Sequence, residues 1–410
     1  MASATRTNAS RTDTEGYPVP LNPHRRRLES IDLLRGLLML VMALDHSRDF
    51  FSSAHVNPTD PTESWPALYI TRWVTHLCAP GFVALAGASI YLQKVRGKTS
   101  RQVGKLVFTR GLWLVFLELT VITFAWSFSF APFLQVIWAI GMSMVLLSAL
   151  QWLPVAAVGA IGAAILLCHN LLDPIEASSF GRGADLWKIL HQTSMLTYNG
   201  HPIAFAFYPL LPWFGVMCVG YAFGPIAAKS PAIRQRTAAI LGALFLAAFA
   251  CLKVAGVYGD AFRWQHLATP AQTVMSFFEV EKYPPSLEYA LLMLGVLLLL
   301  YVGFDIAAER NWLPRLRGFV EIYGRVPFFY YVLHIYLLHS AALLLTMALH
   351  LDWHHWVGMG GLMGGALPGA GFSLPVVYCI WLAAILILYL PCRWFSQLKA
   401  RRRDWWLSYL

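Results

Sequence analysis

Charge is what this sequence has least of. Only 13% of its 410 residues are Asp, Glu, Lys or Arg, against 58% hydrophobic, whereas soluble domains carry about 25% charged side chains. That deficit excludes a chain solvated over its whole surface. Acidic residues are the scarcer sign, 21 against 31 Lys and Arg, yet the basic excess forms no stripe of the kind that binds nucleic acid. Cysteine is sparse too: Cys78, Cys168, Cys218, Cys251, Cys379 and Cys392 sit singly in or beside apolar runs. That spacing excludes a disulfide framework and leaves small buried hydrophobes as the plain reading. No Cys pair and no His-Glu-x-x-His pattern occurs, so no metal is expected. No polar linker divides the apolar runs, and the absence of an internal repeat weakens a transporter built from inverted halves.

What is present is apolar length. Runs near 20 residues, enough to cross about 30 Å of hydrocarbon, recur at roughly 31–52, 67–93, 105–127, 131–151, 153–171, 203–228, 236–256, 284–304, 325–349 and 374–392. The expected fold is all-α: a polytopic membrane bundle of about ten transmembrane helices, with residues 28–410 as one domain. Residues 1–27, polar and without hydrophobic periodicity, read as a disordered cytoplasmic tail. Basic residues gather on one side of the spans, in Arg6, Arg11, Arg25 to Arg27, Lys94 to Lys105, Lys229 to Arg236, Arg310 to Arg325 and Arg393 to Arg403. The opposite side holds only Arg182, Lys188, Lys253, Arg263 and Lys282. The positive-inside bias then puts both termini in the cytoplasm.

Two connections on the far side are long. Residues 172–202, with Asp173, Arg182, Asp185, Lys188, His191 and His201, are expected to cap the outer mouth. Residues 257–283 end in Lys282-Tyr283-Pro284-Pro285-Ser286. The paired prolines suit the first turn of the helix that follows.

Against this background, ionisable residues inside spans stand out, because each costs roughly 2.5–3.5 kcal/mol at bilayer depth. Arg35 and His46 are almost three turns apart on the first helix, a separation of about 16 Å along one stripe. Asp45, Arg48 and Asp49 flank His46, Arg72 and His76 lie four apart in the second run, and Tyr330 and His334 four apart in the ninth. A histidine titrating near neutrality suits removal of a proton from a hydroxyl or amine. An adjacent Asp45 or Asp49 would hold its tautomer, and Arg48 and Arg72 would neutralise an anion or a developing oxyanion. For His339 alone, an interhelical hydrogen bond is the plainer expectation. His350, Asp352, His354 and His355 read as a solvated loop.

Several strings then carry a resemblance. Arg27-Leu28-Glu29-Ser30-Ile31-Asp32-Leu33-Leu34-Arg35-Gly36 running into Asp45-His46-Ser47-Arg48, Cys78-Ala79-Pro80-Gly81-Phe82-Val83, Tyr208-Pro209-Leu210-Leu211-Pro212-Trp213, Lys282-Tyr283-Pro284-Pro285-Ser286 and Gly324-Arg325-Val326-Pro327 with His334 together resemble the bacterial proteins similar to heparan-alpha-glucosaminide N-acetyltransferase. The resemblance implies a multi-pass acyltransferase of the bacterial cytoplasmic (inner) membrane. Acetyl-CoA would serve as cytoplasmic co-substrate and a sugar or cell-envelope glycan as acceptor on the outer side, with no metal. His46 stands where a lysosomal member has a functional asparagine, and that member's proposed active histidine falls nearest to His55 and Asn57 here.

The base role is therefore assigned to His46, with Asp45, His76 and His334 completing the catalytic set. Arg48, Arg72, Lys282, Tyr283 and His55 are the expected substrate contacts, and Arg35, Arg110 and Arg325 the CoA contacts. Expected partners are the lipid bilayer, acyl-CoA and the glycan, with no nucleic acid; a homodimer and the choice between direct transfer and an acyl-histidine are left open. The alternative is a transporter of a polar or anionic solute using the same Arg, His and Asp groups.

Overall fold

The computed structural model describes residues 28–358, 365–402, 404 and 407. The expected tail, residues 1–27 with its five arginines, lies outside the described residues, as do Arg403 and positions 359–364 of the glycine-rich stretch.

The first helix, α1 (Glu29–Phe51), is followed by α2 (Pro66–Thr75), α3 (Cys78–Val95) and α4 (Ser100–Leu117). α4 passes through a π-turn at Glu118–Ile122 into α5 (Thr123–Ser127). Then come α6 (Val136–Leu150), α7 (Val155–Cys168), the short α8 (Ala184–Leu190), α9 (Leu210–Ala227), α10 (Pro231–Ala255), α11 (Pro270–Phe277), α12 (Leu287–Glu309), α13 (Pro314–Arg325), α14 (Pro327–Ala348) and α15 (Leu374–Arg401). Proline in the first turn opens α2, α10, α11, α13, α14 and α15, where its missing N–H costs no hydrogen bond. Thr99 and Gln102 form a capping box at the start of α4, satisfying two donors that the helix itself cannot.

Eight of the described helical segments are long and apolar enough to cross a membrane. They are Pro66–Val95, Ser100–Ser127, Val155–Leu172, Leu210–Ala227, Pro231–Ala255, Leu287–Glu309, Pro327–Ala348 and Leu374–Arg401. Two expected spans fall outside that set for different reasons. α1 has the length but carries Glu29, Asp32, Arg35, Asp45, Arg48 and Asp49. α6 has the apolarity but only 15 residues, a rise of about 22 Å.

The chain is mostly helical, as expected, with one small sheet in addition. Residues 133–134 (β1), 194–198 (β2) and 201–206 (β3) form a three-stranded sheet in the order β1-β3-β2, β1 parallel and β2 antiparallel to β3. β2 and β3 meet at Asn199 and Gly200, both with left-handed backbone (φ 49° and 79°). This is the Asn-Gly hairpin turn, whose twist matches paired strands. The sheet takes the residues expected to begin the spans at 131 and 203, which is why both helices start later. α13 is a second addition, lying in a stretch expected only to connect two spans.

α1 runs through the middle of the bundle, against α2, α3, α12, α13, α14 and α15. Its contact with α13 is backbone to backbone: a Cβ on Gly36 would lie 2.1 Å from the Val320 carbonyl oxygen, and one on Gly324 1.9 Å from that of Asp32. α4 and α6 meet the same way, a Cβ on Gly111 falling 2.5 Å from the Gly141 oxygen. No larger residue fits at these crossings.

Candidate functional site

α1 and α14 cross where each carries a buried histidine. His46 Nδ1 lies 2.7 Å from His334 Nε2, and the rings stack with their planes 7° apart. His334 Nδ1 is in turn 2.9 Å from the Tyr330 carbonyl oxygen. A carbonyl only accepts, so the pattern assigns the His334 proton to Nδ1 and leaves Nε2 as acceptor. His46 must then donate from Nδ1, and its Nε2 carries the free lone pair. Aromatic rings enclose the pair: Trp126 stands edge-on to His46 at 4.7 Å, while Tyr330 stacks on His334 and Tyr331 meets it edge-on. The Trp126 indole donates to the Tyr331 hydroxyl at 3.2 Å.

Asp45 does not hold His46, contrary to the sequence expectation. Its carboxylate lies 2.5 Å from Arg72 Nη1 and 3.0 Å from Arg48 Nη2, and Arg48 also pairs with Asp49. The reason is helical geometry: adjacent residues point about 100° apart around the axis, so Asp45 and His46 face different neighbours. The tautomer-fixing partner is His334, a residue almost 300 positions away in the chain.

Lys282 reaches the same cluster from the far connection. It is 6% exposed, its ammonium lies 5.0 Å from the Tyr283 ring centre, and its charge acts on Asp45, His46 and His76. Tyr283 packs on Phe207, ring centres 4.2 Å apart, and on Tyr208. Counting the histidines as neutral, Arg48, Arg72 and Lys282 outnumber Asp45 and Asp49 by one positive charge. His76 sits at the junction of α2 and α3, where its carbonyl accepts from the Tyr289 hydroxyl at 2.8 Å. Its Nδ1 is buried without a protein partner, and it is bonded to neither His46 nor His334. His55 is exposed on the loop between α1 and α2. His339 bonds two backbone carbonyls, of Ala125 and Trp356, at 2.7 and 3.0 Å.

Arg35, Arg110 and Arg325 line one cavity of about 370 Å³, together with Arg96 and Lys399. Arg35 also bonds Asp32 at 3.1 Å and Ser89 Oγ at 3.0 Å, and Arg325 pairs with Glu321 at 2.6 Å. The cavity begins among exposed Arg96 and Arg325 and ends against Met39, Met42 and Tyr331. Met42 is one turn before His46 on α1, and the Tyr331 ring centre is 5.6 Å from that of His334. Tyr331 is thus shared between the two, lining the basic cavity and packing against His334.

Glu118, Lys253 and Glu288 are buried charges that the sequence did not single out as site residues. Glu118, in the π-turn, accepts from the Trp138 N–H at 3.0 Å and so holds the start of α6. Lys253 lies 3.3 Å from Glu288 and donates to the carbonyls of Phe262 and Glu279, tying the far connection to α10 and α12. Within that connection, burial pushes the Glu279 carboxyl up to about 7, with nearby Asp60 adding to the rise and Lys253 opposing it. Their signal was present as ionisable residues inside apolar runs, but their partners are remote in the chain. Among the described residues, one group of metal-ligating type also assembles: His169, Asp173 and His191.

The sequence profile described as Heparan-alpha-glucosaminide N-acetyltransferase, catalytic, matches residues 27–258, over half of the chain. The chain belongs to this family. No curated protein matches it. Membership brings a membrane acetyltransferase activity, with acetyl-CoA the donor that the family uses in general. The matched segment carries Arg35, Asp45, His46, Arg48, Arg72, His76 and Arg110; it ends before Lys282, Tyr283, Arg325 and His334. Half of the histidine pair therefore lies beyond the family match.

Proposed function

We propose that the protein transfers an acetyl group from acetyl-CoA, bound in the basic cavity, to a hydroxyl or amine of a sugar or cell-envelope glycan arriving from the opposite side. The observation that carries this reading is the juxtaposition of that cavity with a histidine pair whose bonding frees one basic nitrogen. The CoA phosphates rest against Arg35, Arg110 and Arg325, and the pantetheine arm extends toward Met42 and Tyr331, bringing the thioester to His46.

The transfer then needs one base. His46 Nε2 takes the acceptor proton as the acceptor oxygen or nitrogen attacks the thioester carbonyl; the tetrahedral intermediate expels CoA thiolate, which recovers the proton from His46. Donation of Nδ1–H to His334 stabilises the transient imidazolium. The net positive charge of Arg48, Arg72 and Lys282 against Asp45 and Asp49 favours the developing oxyanion, and Tyr283 and His76 border the acceptor. The thioester is already activated, so this route runs without a metal.

In this reading residues 28–410 form one domain. α1 and α6 add two spans to the eight, both termini are cytoplasmic, and the protein resides in a bacterial inner membrane beside anionic lipid. The test is release of CoA thiol by the purified protein in proteoliposomes, with acetyl-CoA on the basic side and amino sugars on the other. Release that requires acceptor, and is lost in His46→Ala, supports the proposal. Electrogenic solute flux without CoA release would replace it with transport.

A further inference from the structure

α7 ends at the face opposite the basic cavity, and there His169 is 1% exposed with neither ring nitrogen hydrogen-bonded. A neutral imidazole has one donor and one acceptor, and buried polar atoms in folded proteins are rarely left without partners. An orphan on both nitrogens calls for an occupant. Facing it is His191, 3% exposed, its Nδ1 also buried and unpartnered and its Nε2 3.0 Å from Asp173 Oδ1. The two rings are 5.9 Å apart between centres. Asn170 holds the other Asp173 oxygen at 2.9 Å and accepts from the Leu287 N–H at 2.9 Å.

We infer that His169, Asp173 and His191 form a binding site for a divalent transition metal of the zinc class. One ligand atom from each lies within 4.8 Å of the others. Tetrahedral zinc with bonds of about 2.0–2.1 Å sets its donors roughly 3.3–3.5 Å apart, so the closure needed is a side-chain adjustment, not a backbone movement. Two imidazoles and a single carboxylate favour zinc over magnesium or calcium, which take oxygen ligands. Asn170 bonded to Asp173 supplies the outer support that metal-ligating carboxylates commonly have. Three protein donors leave the fourth tetrahedral position to water, and the metal clips the segment after α7 to the one leading into β2. Through β3 and Phe207, that segment reaches Tyr283. The site is separate from the acyl-transfer residues, and its test reads no transfer.

The test uses full-length protein purified without a histidine tag, stripped by chelator and titrated with Zn²⁺ by calorimetry and with Co²⁺ by visible absorption. One equivalent of Zn²⁺ is expected, with a tetrahedral Co²⁺ spectrum and a thermal midpoint raised by metal. His169→Ala is expected to abolish these responses. Asp173→Asn, at a half-exposed position, keeps the fold and weakens Zn²⁺ at least about tenfold. His354→Ala, in the exposed loop, leaves binding intact. Absence of stoichiometric binding by a folded, monodisperse wild type, or equal binding by the Asp173→Asn protein, would overturn the inference.

Discussion

His46 Nδ1 donates to His334 Nε2 across 2.7 Å, and the Tyr330 carbonyl behind His334 decides which nitrogen of each ring carries the proton. The pair couples α1 to α14, a helix near the other end of the chain. It leaves Nε2 of His46 as the ring nitrogen of the pair with a free lone pair.

A mutant cycle tests this coupling. His46→Ala should lower acceptor-dependent CoA release by about 10²–10⁴-fold, the usual worth of a general base. His334→Ala should cost less, and the double variant no more than His46→Ala alone, because His334 acts only through its partner. Losses that multiply would mean that His334 has a separate role.

Asp45 bridges two guanidinium groups, those of Arg48 and Arg72. Asp45→Asn leaves Arg72 without its carboxylate while Arg48 keeps Asp49, and should destabilise the fold by about 3–5 kcal/mol, the cost of breaking a buried ion pair. Denaturant unfolding in detergent measures it, and Arg72→Gln in the Asp45→Asn background should recover part of the loss.

Arg35→Ala and Arg110→Ala should each weaken CoA binding roughly 10–100-fold, as expected for a charge-assisted contact. The difference should shrink with rising salt. Titration with CoA and with pantetheine separates the phosphates from the arm, and equal losses for both ligands would assign the cavity to something other than CoA.

The raised Glu279 carboxyl predicts a pH dependence of stability. Between the ordinary glutamate value and about 7, the unfolded chain has released this proton while the folded chain still holds it. The contribution is therefore complete in acid and is lost as pH rises through about 7, after which it stays flat. Glu279→Gln should remove that slope from a plot of thermal midpoint against pH; a slope unchanged by the substitution would assign it to another group.

Much of this architecture was readable in the residues, and the exceptions share a cause. Apolar run length located the long helices, because hydrocarbon thickness sets that length directly. It misplaced the starts at 131 and 203, because a short apolar strand and the first turns of an apolar helix have the same composition. The Asn199-Gly200 pair was the visible signal for the hairpin. At the site, spacing along α1 identified Asp45, His46 and Arg48 as a group, and composition at the basic end led to Arg35, Arg110 and Arg325. Sequence adjacency paired His46 with Asp45, whereas folding paired it with His334. His169 and His191, 22 residues apart on either side of a loop, carry no periodic signal that joins them.

The glycine crossings impose a mechanics on the cavity. α1 and α13 are locked backbone to backbone at Gly36 and Gly324, and α4 and α6 at Gly111, so neither pair has slack to slide within itself. Arg35 and Arg325 belong to the first slab and Arg110 to the second. Widening of the entrance must then occur along the seam between the slabs. A bound polyanion spanning that seam would act as a rivet, and its departure would let the two halves breathe apart.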